Sequence, residues 1–338
     1  MEKSEIVIVG AGPGGLEAAR VLSDAGRDVL VFESNRNPGG KVCAGGGSIG
    51  NLDIGIPKNI IEKEFSSMKF VHPKKTIWLK NDEPFFVTLD REALSKWQIK
   101  SAREAGAHLE FGNRVRSISD DNVITDHREI KYKYLIGADG SSSVVRRSLG
   151  LSNKDFAMGV QYLVPGEFSD LEVFMDIKLF GPWFGWVFPH NGFASIGAGA
   201  DYRVISPSKL KSNLEQLISS MGYNYSDCEF QAAPISYQYE GFAFKNKYLC
   251  GEAAGLVSEF TGEGIGLAFK SGQDVAHRIL DNNYRCTQIA EILKIKRYHS
   301  ALAGIGRMNV RLMDVIQYRL DLIFSNRRLR KKFVDIIW

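Results

Sequence analysis

Residues 5–34 read EIVIVGAGPGGLEAARVLSDAGRDVLVFES, and their order decides the fold. The apolar run Ile6–Val9 has the β-branched character of a buried strand. The helical pattern after it is closed by Gly26, before a second apolar run from Val29 to Phe32. That is a βαβ unit. Its turn, Gly10-Ala11-Gly12-Pro13-Gly14-Gly15, fits the G-x-G-x-x-G spacing: Gly10 makes the tight turn, Gly12 lets a pyrophosphate approach the backbone, and Gly15 lets the helix pack closely. Glu33, 18 residues after Gly15 and at the end of the next strand, supplies a carboxylate for both hydroxyls of an adenosine ribose. A carboxylate there disfavours a 2′-phosphate, so the nucleotide is expected to be FAD or NAD and not NADP. Pro13, Gly14 and Ser34 complete this group of cofactor-binding candidates.

The rest of the chain is too long to be one such unit. With 338 residues, 44% of them hydrophobic and 24% charged, it has material for two or three packed units. The first residues run straight into a strand and lack the pattern of a signal peptide, and no run of 18 apolar residues occurs. Cys43, Cys228, Cys250 and Cys286 lie far apart without a C-x-x-C pair, which points to reduced thiols and a cytoplasmic protein. The net charge of +4 is modest, but residues 307–332 gather eight Lys/Arg against two Asp. Nothing suggests nucleic-acid binding, and no His/Cys/Asp/Glu cluster has metal-ligand spacing.

After the βαβ unit come short strand-like runs (TIWLK, FFVTLD), a helix over DREALSKWQIKSAREAG, and the strand-and-turn segment KYKYLIGADG. Strand patterns dominate from Asp155 to about Tyr239, with one helix at SPSKLKSNLEQLISSMG. The segment YLCGEAAG then returns to strand and turn before another helix. The expected architecture is α/β plus antiparallel β. A Rossmann-type nucleotide domain is discontinuous (1–70, 91–154 and 246–285), an antiparallel-sheet substrate domain takes 71–90 and 155–245, and residues 286–338 form a C-terminal helical segment.

Two later stretches choose the nucleotide. GADGSSSVVRRSLG (137–150) and YLCGEAAGLVSEFTGEGIGLAFKSG (248–272) resemble the DG motif and the distal flavin motif of glutathione-reductase-type FAD enzymes, in the branch shared by aromatic hydroxylases and geranylgeranyl reductases. The resemblance spans residues 5–285 and implies FAD. It implies that Asp139, beside Gly140, secures the cofactor near its pyrophosphate, and that Glu252, where the family usually has Asp, meets a ribityl hydroxyl. Gly251, Gly255, Gly262, Gly264 and Ile265 belong to the distal motif. TGEGIG also opens a helix, whose unpaired N–H groups can face the anionic edge of a reduced flavin. Arg91 in DREAL matches a basic residue that the family places near the cofactor, and reads equally as a helix-start surface arginine. SIGAGAD (195–201) has Tyr202 where a third glycine belongs, so it reads as a strand passing near a ligand or as a plain glycine bulge, not as a second nucleotide site.

The branch is suggested by GPWFGWVFPH (181–190). As a strand it would put Phe184, Trp186 and Phe188 on one face and Trp183 on the other. It resembles the aromatic-x-Trp-x-Phe-Pro segment of geranylgeranyl reductases, and flavin-dependent halogenases carry a similar segment. The loop NPGGKVCAGGGSIG (37–50) resembles the reductase loop in which a cysteine is followed by glycines near the isoalloxazine ring, here Lys41, Val42, Cys43 and Gly45. Three readings of Cys43 stay open: a buried filler, a residue touching flavin and substrate, and half of a redox disulfide.

The resemblance implies an FAD-dependent reductase that saturates C=C bonds of geranylgeranyl or other polyprenyl chains on lipids or diphosphates. The reaction would involve Cys43, Trp186 and Phe184; Trp183, Phe188, His190 and Gly45 would line the substrate side. His190 is read either as a proton donor or as a structural residue. A monooxygenase or halogenase, or a non-redox cyclase of the same fold, is the alternative. No dedicated NAD(P)H domain is visible, so NAD(P)H would bind transiently or a ferredoxin would supply electrons. The basic tail, with Leu312, Val315, Ile316, Leu320 and Ile323 at helical spacing, suggests peripheral membrane contact or a helix packed on the flavin domain.

Overall fold

The computed structural model describes residues 2–337 apart from Pro38, Gly40 and Asn153, with the side chain of Ile336 also outside the description. Three sheets organise the chain. The first is the nucleotide-binding sheet. Strand β1 (Glu2–Val9) lies parallel to β2 (Val29–Glu33) on one side and to β11 (Glu129–Gly137) on the other. Beyond β2 comes β8 (His108–Phe111), and beyond β11 comes β18 (Lys247–Leu249), edged by the two-residue β17 (Ala243–Phe244). An antiparallel pair, β9 (Val115–Ile118) and β10 (Asn122–Thr125), extends from the other half of β11.

Helix α1 (Pro13–Asp24) links β1 to β2 and packs against α7 (Ile265–Leu280), which follows β18. Their axes approach closely because both contribute glycine: a Cβ on Gly272 would stand 2.2 Å from the Gly14 carbonyl oxygen. Helix α3 (Arg91–Glu104) packs on α1 and is capped by Asp90, whose carboxylate accepts from the amides of Glu92 and Ala93.

The second sheet has seven strands in the order β16-β12-β15-β14-β13-β5-β6. These are β16 (Glu229–Ser236), β12 (Phe156–Pro165), β15 (Phe193–Asp201), β14 (Gly185–Pro189), β13 (Glu172–Phe174), β5 (Ser67–His72) and β6 (Lys75–Lys80). All neighbours are antiparallel except β13 and β5. Helix α6 (Pro207–Ser220) covers one face, burying Leu210, Leu214, Leu217 and Ile218 with Val160 and Ile196. The short α5 (Ile177–Phe180) lies beside it. SIGAGAD is therefore an ordinary strand of this sheet.

A third sheet, β3 (Gly46–Ser48), β7 (Phe86–Leu89) and β4 (Ile61–Phe65), joins the other two. Its strands fall differently from the expected division at residue 70. That point lies inside β5, and residues 46–65 and 86–89 make a separate layer, because the glycine-rich β3 carries no strand periodicity that sequence can reveal. Helices α2 (Ile49–Leu52) and α4 (Val144–Ser148) are single turns after β3 and β11.

The C-terminal segment is helical, as expected, with its basic tail broken into several helices where the spacing suggested one. It comprises α8 (Thr287–Met308), α9 (Val310–Tyr318), α10 (Leu320–Ser325) and α11 (Arg327–Ile337), with breaks at Asn309, Arg319 and Asn326. Helix α8 packs on α7. The last three helices lie over β5 and β6, tied by His72 with Asp314 at 3.0 Å and Lys75 with Asp321 at 2.9 Å, and by Phe70 against Phe324 and Phe333. Leu320 is buried and Ile316 and Ile323 face inward, while Leu312 and Val315 are exposed, so the five apolar residues do not share one surface.

Candidate active site

At the turn between β1 and α1, steric demand and ligand demand separate cleanly. Gly10 has φ +103° and a Cβ there would lie 2.4 Å from the Ala138 carbonyl oxygen; a Cβ on Gly15 would lie 2.1 Å from the Gly10 oxygen. Both must be glycine for the fold alone. A Cβ on Gly12 would meet only the Ala138 oxygen, at 3.9 Å, so this glycine leaves open space over the α1 N-terminus, where an anion fits. Glu33 accepts from the Ala11 amide at 2.8 Å and the Asn35 amide at 2.8 Å, with the Ser34 hydroxyl donating at 3.2 Å, which fixes its carboxylate beside the turn.

Two orphaned buried polar groups point to a cofactor. Asp139 is partly buried; its Oδ2 accepts from the Val144 amide at 2.6 Å, while its Oδ1, shielded from solvent, has no partner, and desolvation pushes its carboxyl above the usual range. On Arg91, Nε and Nη1 are buried without partners, and the side chain lines a cavity of about 190 Å³. An uncompensated buried guanidinium is costly, so a hydrogen-bonding anion at this place fits the residues present.

That cavity lies where the three sheets meet. Its walls include Pro13, Lys41, Val42, Cys43 and Glu252, with Gly262, Gly264 and Ile265 from the distal motif. Across from them stand Trp183, Phe184, Trp186 and Phe188. All four aromatics thus reach one space, including Trp183, which strand alternation had put on the other face. The reason is that β14 begins only at Gly185, so residue 183 precedes the strand. The rings lie on glycines of β15: a Cβ on Gly197 would sit 2.3 Å from Trp186 Cζ2, and one on Gly199 2.5 Å from Trp183 Cε3.

Several expected residues stand behind the wall. Gly14 and Gly251 serve helix packing, their added Cβ atoms meeting the backbone oxygen and the side chain of Ala268, and Gly255 abuts the Gln238 carbonyl. Gly140 borders Glu252. Glu252 has partners within the protein: Oε1 accepts from the Ser236 amide at 2.9 Å and Oε2 pairs with Lys41. His190 does not line the cavity. Its Nδ1 meets Glu62 at 2.5 Å, its Nε2 meets the Ala44 carbonyl at 2.9 Å, and its ring stacks on Phe193, with Gly45 pressed beneath it.

Cys43 reaches the cavity with a partly exposed thiol, and all four cysteines are free, so nothing supports the disulfide reading. Cys250 is buried, and burial pushes its thiol up to about 12.

Sequence reasoning missed Glu263. It lines the same cavity, accepts from the Ser48 amide at 2.5 Å and from Asn51 Nδ2 at 2.9 Å, and burial pushes its carboxyl up to about 7. It stood in the quoted TGEGIG, but its partners lie more than 200 positions away. Gln161, another wall residue, is a lone amide in the apolar AMGVQYLV run, a signal that was available. A second cavity, of about 410 Å³ and almost wholly apolar, lies beneath α9 to α11; Phe184 and Thr261 line both.

Residues 3–165 match a family model described as an FAD binding domain. The cofactor is FAD. The chain is 26% identical over 357 residues to a geranylgeranyl diphosphate reductase of Rhodobacter capsulatus, an alignment covering 99% of this chain and 88% of that one. It is 28% identical over 364 residues to a digeranylgeranylglycerophospholipid reductase of Methanosphaera stadtmanae, covering 95% and 89%. A geranylgeranyl bacteriochlorophyll reductase-like structure from Thermoplasma acidophilum superposes with a TM-score of 0.80 over 98% of this chain and 96% of that one, at 22% identity. The chain is an FAD-dependent oxidoreductase resembling the geranylgeranyl reductases.

Proposed function

We propose that the protein saturates carbon–carbon double bonds of an isoprenoid chain carried on a lipid or a diphosphate. The observation that carries this reading is the pair of adjoining apolar spaces. The cavity beside Arg91 and Cys43 shares Phe184 and Thr261 as walls with a larger one lined by Phe70, Met175, Phe260, Leu320 and Phe333, apolar space suited to a long hydrocarbon. The names of the relatives support the same substrate class.

The Gly10–Gly15 turn, Glu33, Arg91 and Asp139 would hold FAD, which would supply the hydride when bound in its reduced form. The aromatic wall orients the alkene and excludes water. Cys43, which lines the same cavity, shapes the reacting end and assists proton delivery to the second carbon. Electrons come from NAD(P)H binding transiently or from a ferredoxin.

The test is anaerobic. Enzyme reduced with dithionite is mixed with geranylgeranyl diphosphate or with an unsaturated diether lipid, and the flavin spectrum and product mass are followed. Reoxidation without dioxygen, with product heavier by two hydrogens per bond, supports the reading. Reoxidation only with dioxygen, with product gaining oxygen or halogen, overturns it, as does product of unchanged mass.

We also propose peripheral membrane contact. No described helix is long and apolar enough to cross a bilayer. The helices roofing the larger cavity expose Met308, Leu312, Val315, Leu322 and Leu329 beside Arg311, Arg327, Arg328, Lys331 and Lys332. Apolar side chains amid cations suit an anionic lipid surface.

A further inference from the structure

Two consecutive carbonyls of the loop carrying Cys43 are held by buried side chains of the seven-stranded sheet. From β12, Gln161 donates through Nε2 to the Cys43 oxygen at 3.2 Å. From the end of β14, His190 meets the Ala44 oxygen through Nε2 at 2.9 Å. Both side chains are almost wholly buried, at 2% and 3% exposure.

Each holder is itself held. Gln161 Oε1 accepts from the Ser195 hydroxyl at 2.8 Å, and that oxygen accepts from the Trp186 indole at 2.9 Å. The amide is thereby oriented, because turning it over would set its oxygen against the Cys43 carbonyl. On the other side, an imidazole that donates from Nε2 to a carbonyl presents Nδ1 to the Glu62 carboxylate at 2.5 Å, an arrangement that holds only with a second proton shared between them. Glu62 is the charged side chain that contacts the ring among the described residues. A hydrogen-bonded chain therefore runs from the aromatic wall through Ser195 and Gln161 to the Cys43 peptide, and the hydrogen-bonded His190–Glu62 pair secures the next carbonyl.

We propose that Gln161 and His190 are positioning residues that fix the Cys43 thiol at the rim of the cavity, with Ser195 coupling that position to Trp186. This deepens the reading of the cavity as the site of alkene reduction, and its first readout requires no substrate. The FAD-loaded protein is treated with iodoacetamide and alkylation of Cys43 is timed by peptide mass spectrometry, with buried Cys250 as the internal control. Gln161 Nε2 also donates to Gln231 Oε1 at 2.6 Å, so Gln161→Glu keeps size and the acceptor for Ser195 but loses the donor to both Cys43 and Gln231, and Gln231→Ala, which removes only the second partner, is its control. His190→Phe loses the donor to Ala44, and His190→Gln restores one.

The expected result is a change of about fivefold or more in the Cys43 alkylation rate for Gln161→Glu and His190→Phe, the scale of one lost hydrogen bond. In His190→Gln the rate returns to within about twofold of wild type, and the bound-flavin spectrum is unchanged throughout. With prenyl substrate, kcat falls in the first two variants by about tenfold while KM moves less. Alkylation rates equal to wild type in every variant overturn the proposal. If Gln161→Glu does not fold, the His190→Phe and His190→Gln pair decides alone. Alkylation that responds as expected in a protein that reduces no prenyl substrate leaves the positioning role standing and removes the proposed function instead.

Discussion

Glu263 joins two segments that meet only in the folded protein: its carboxylate accepts from Ser48 and Asn51 on the glycine loop while its backbone belongs to the turn before α7. Burial, its largest influence, raises the carboxyl from 4.5 to about 7; the bonds from Ser48 and Asn51 and the charge of Lys270 pull the other way. Between those two values the folded chain binds more protons than the unfolded one. Stability from this group is therefore greatest below pH 4.5 and is lost as pH rises toward 7, by roughly 3 kcal/mol. Thermal unfolding of the holoenzyme from pH 5 to pH 8 should show this decline, and Glu263→Gln should flatten it. At the loop itself, Cys43→Ser is expected to leave FAD bound while lowering kcat about tenfold or reducing the number of bonds saturated, as read by product mass. Glu33 was legible because its partners, Ala11 and Asn35, lie within or beside one βαβ unit, and Gly10 because it belongs to a fixed glycine spacing, although Ala138 also confines it. Glu62, Gln161 and Glu263 act across more than 100 positions, and of the three only Gln161, a lone amide in an apolar run, carries a local mark.

At the scale of elements, β14 and β15 work as a pair. Trp186 of β14 and Trp183 just before it occupy the space left by Gly197 and Gly199 of β15, which explains why SIGAGAD imitates a nucleotide turn without being one. Gly197→Ala puts a methyl against both the Trp186 ring and the Val160 carbonyl, so a loss of about 1–3 kcal/mol is expected, visible as a lower melting temperature of the holoenzyme. Gly304, which would accept a Cβ without contact and has no left-handed φ, is the control position for crowding. Strand and helix types in the middle of the chain were readable from alternation and caps. The three breaks after α8 were not, since Asn309, Arg319 and Asn326 interrupt a periodicity that continues on either side of them.

For the whole molecule, the exposed apolar and basic residues of the C-terminal helices lead to a measurement on intact protein. Co-sedimentation with vesicles containing anionic lipid should occur at low salt and weaken as salt rises. Replacing Arg328, Lys331 and Lys332 by alanine should cost about 3 kcal/mol, roughly a hundredfold in partitioning. No binding to anionic vesicles at low salt would remove the membrane contact and leave this face as solvated helix. The nucleotide-binding sheet and the large antiparallel sheet announce themselves in the sequence by pattern, whereas the three-stranded sheet of β3, β7 and β4 does not. The sequence did not disclose that the larger cavity lies between β5, β13 and helices some 250 positions later, because a cavity belongs to no segment.

The interleaving of the nucleotide sheet also sets a schedule. Strand β1 and the glycine turn leave the ribosome first, yet β18 and α7, which flank β11 and α1, follow only after the seven-stranded sheet has been made. Until then the apolar face of α1 that meets α7 has no cover, and the distal wall of the flavin site does not exist. Cofactor capture is thus a late event in the life of each chain, and a nascent chain interrupted before residue 265 would carry the dinucleotide fingerprint without a site to load.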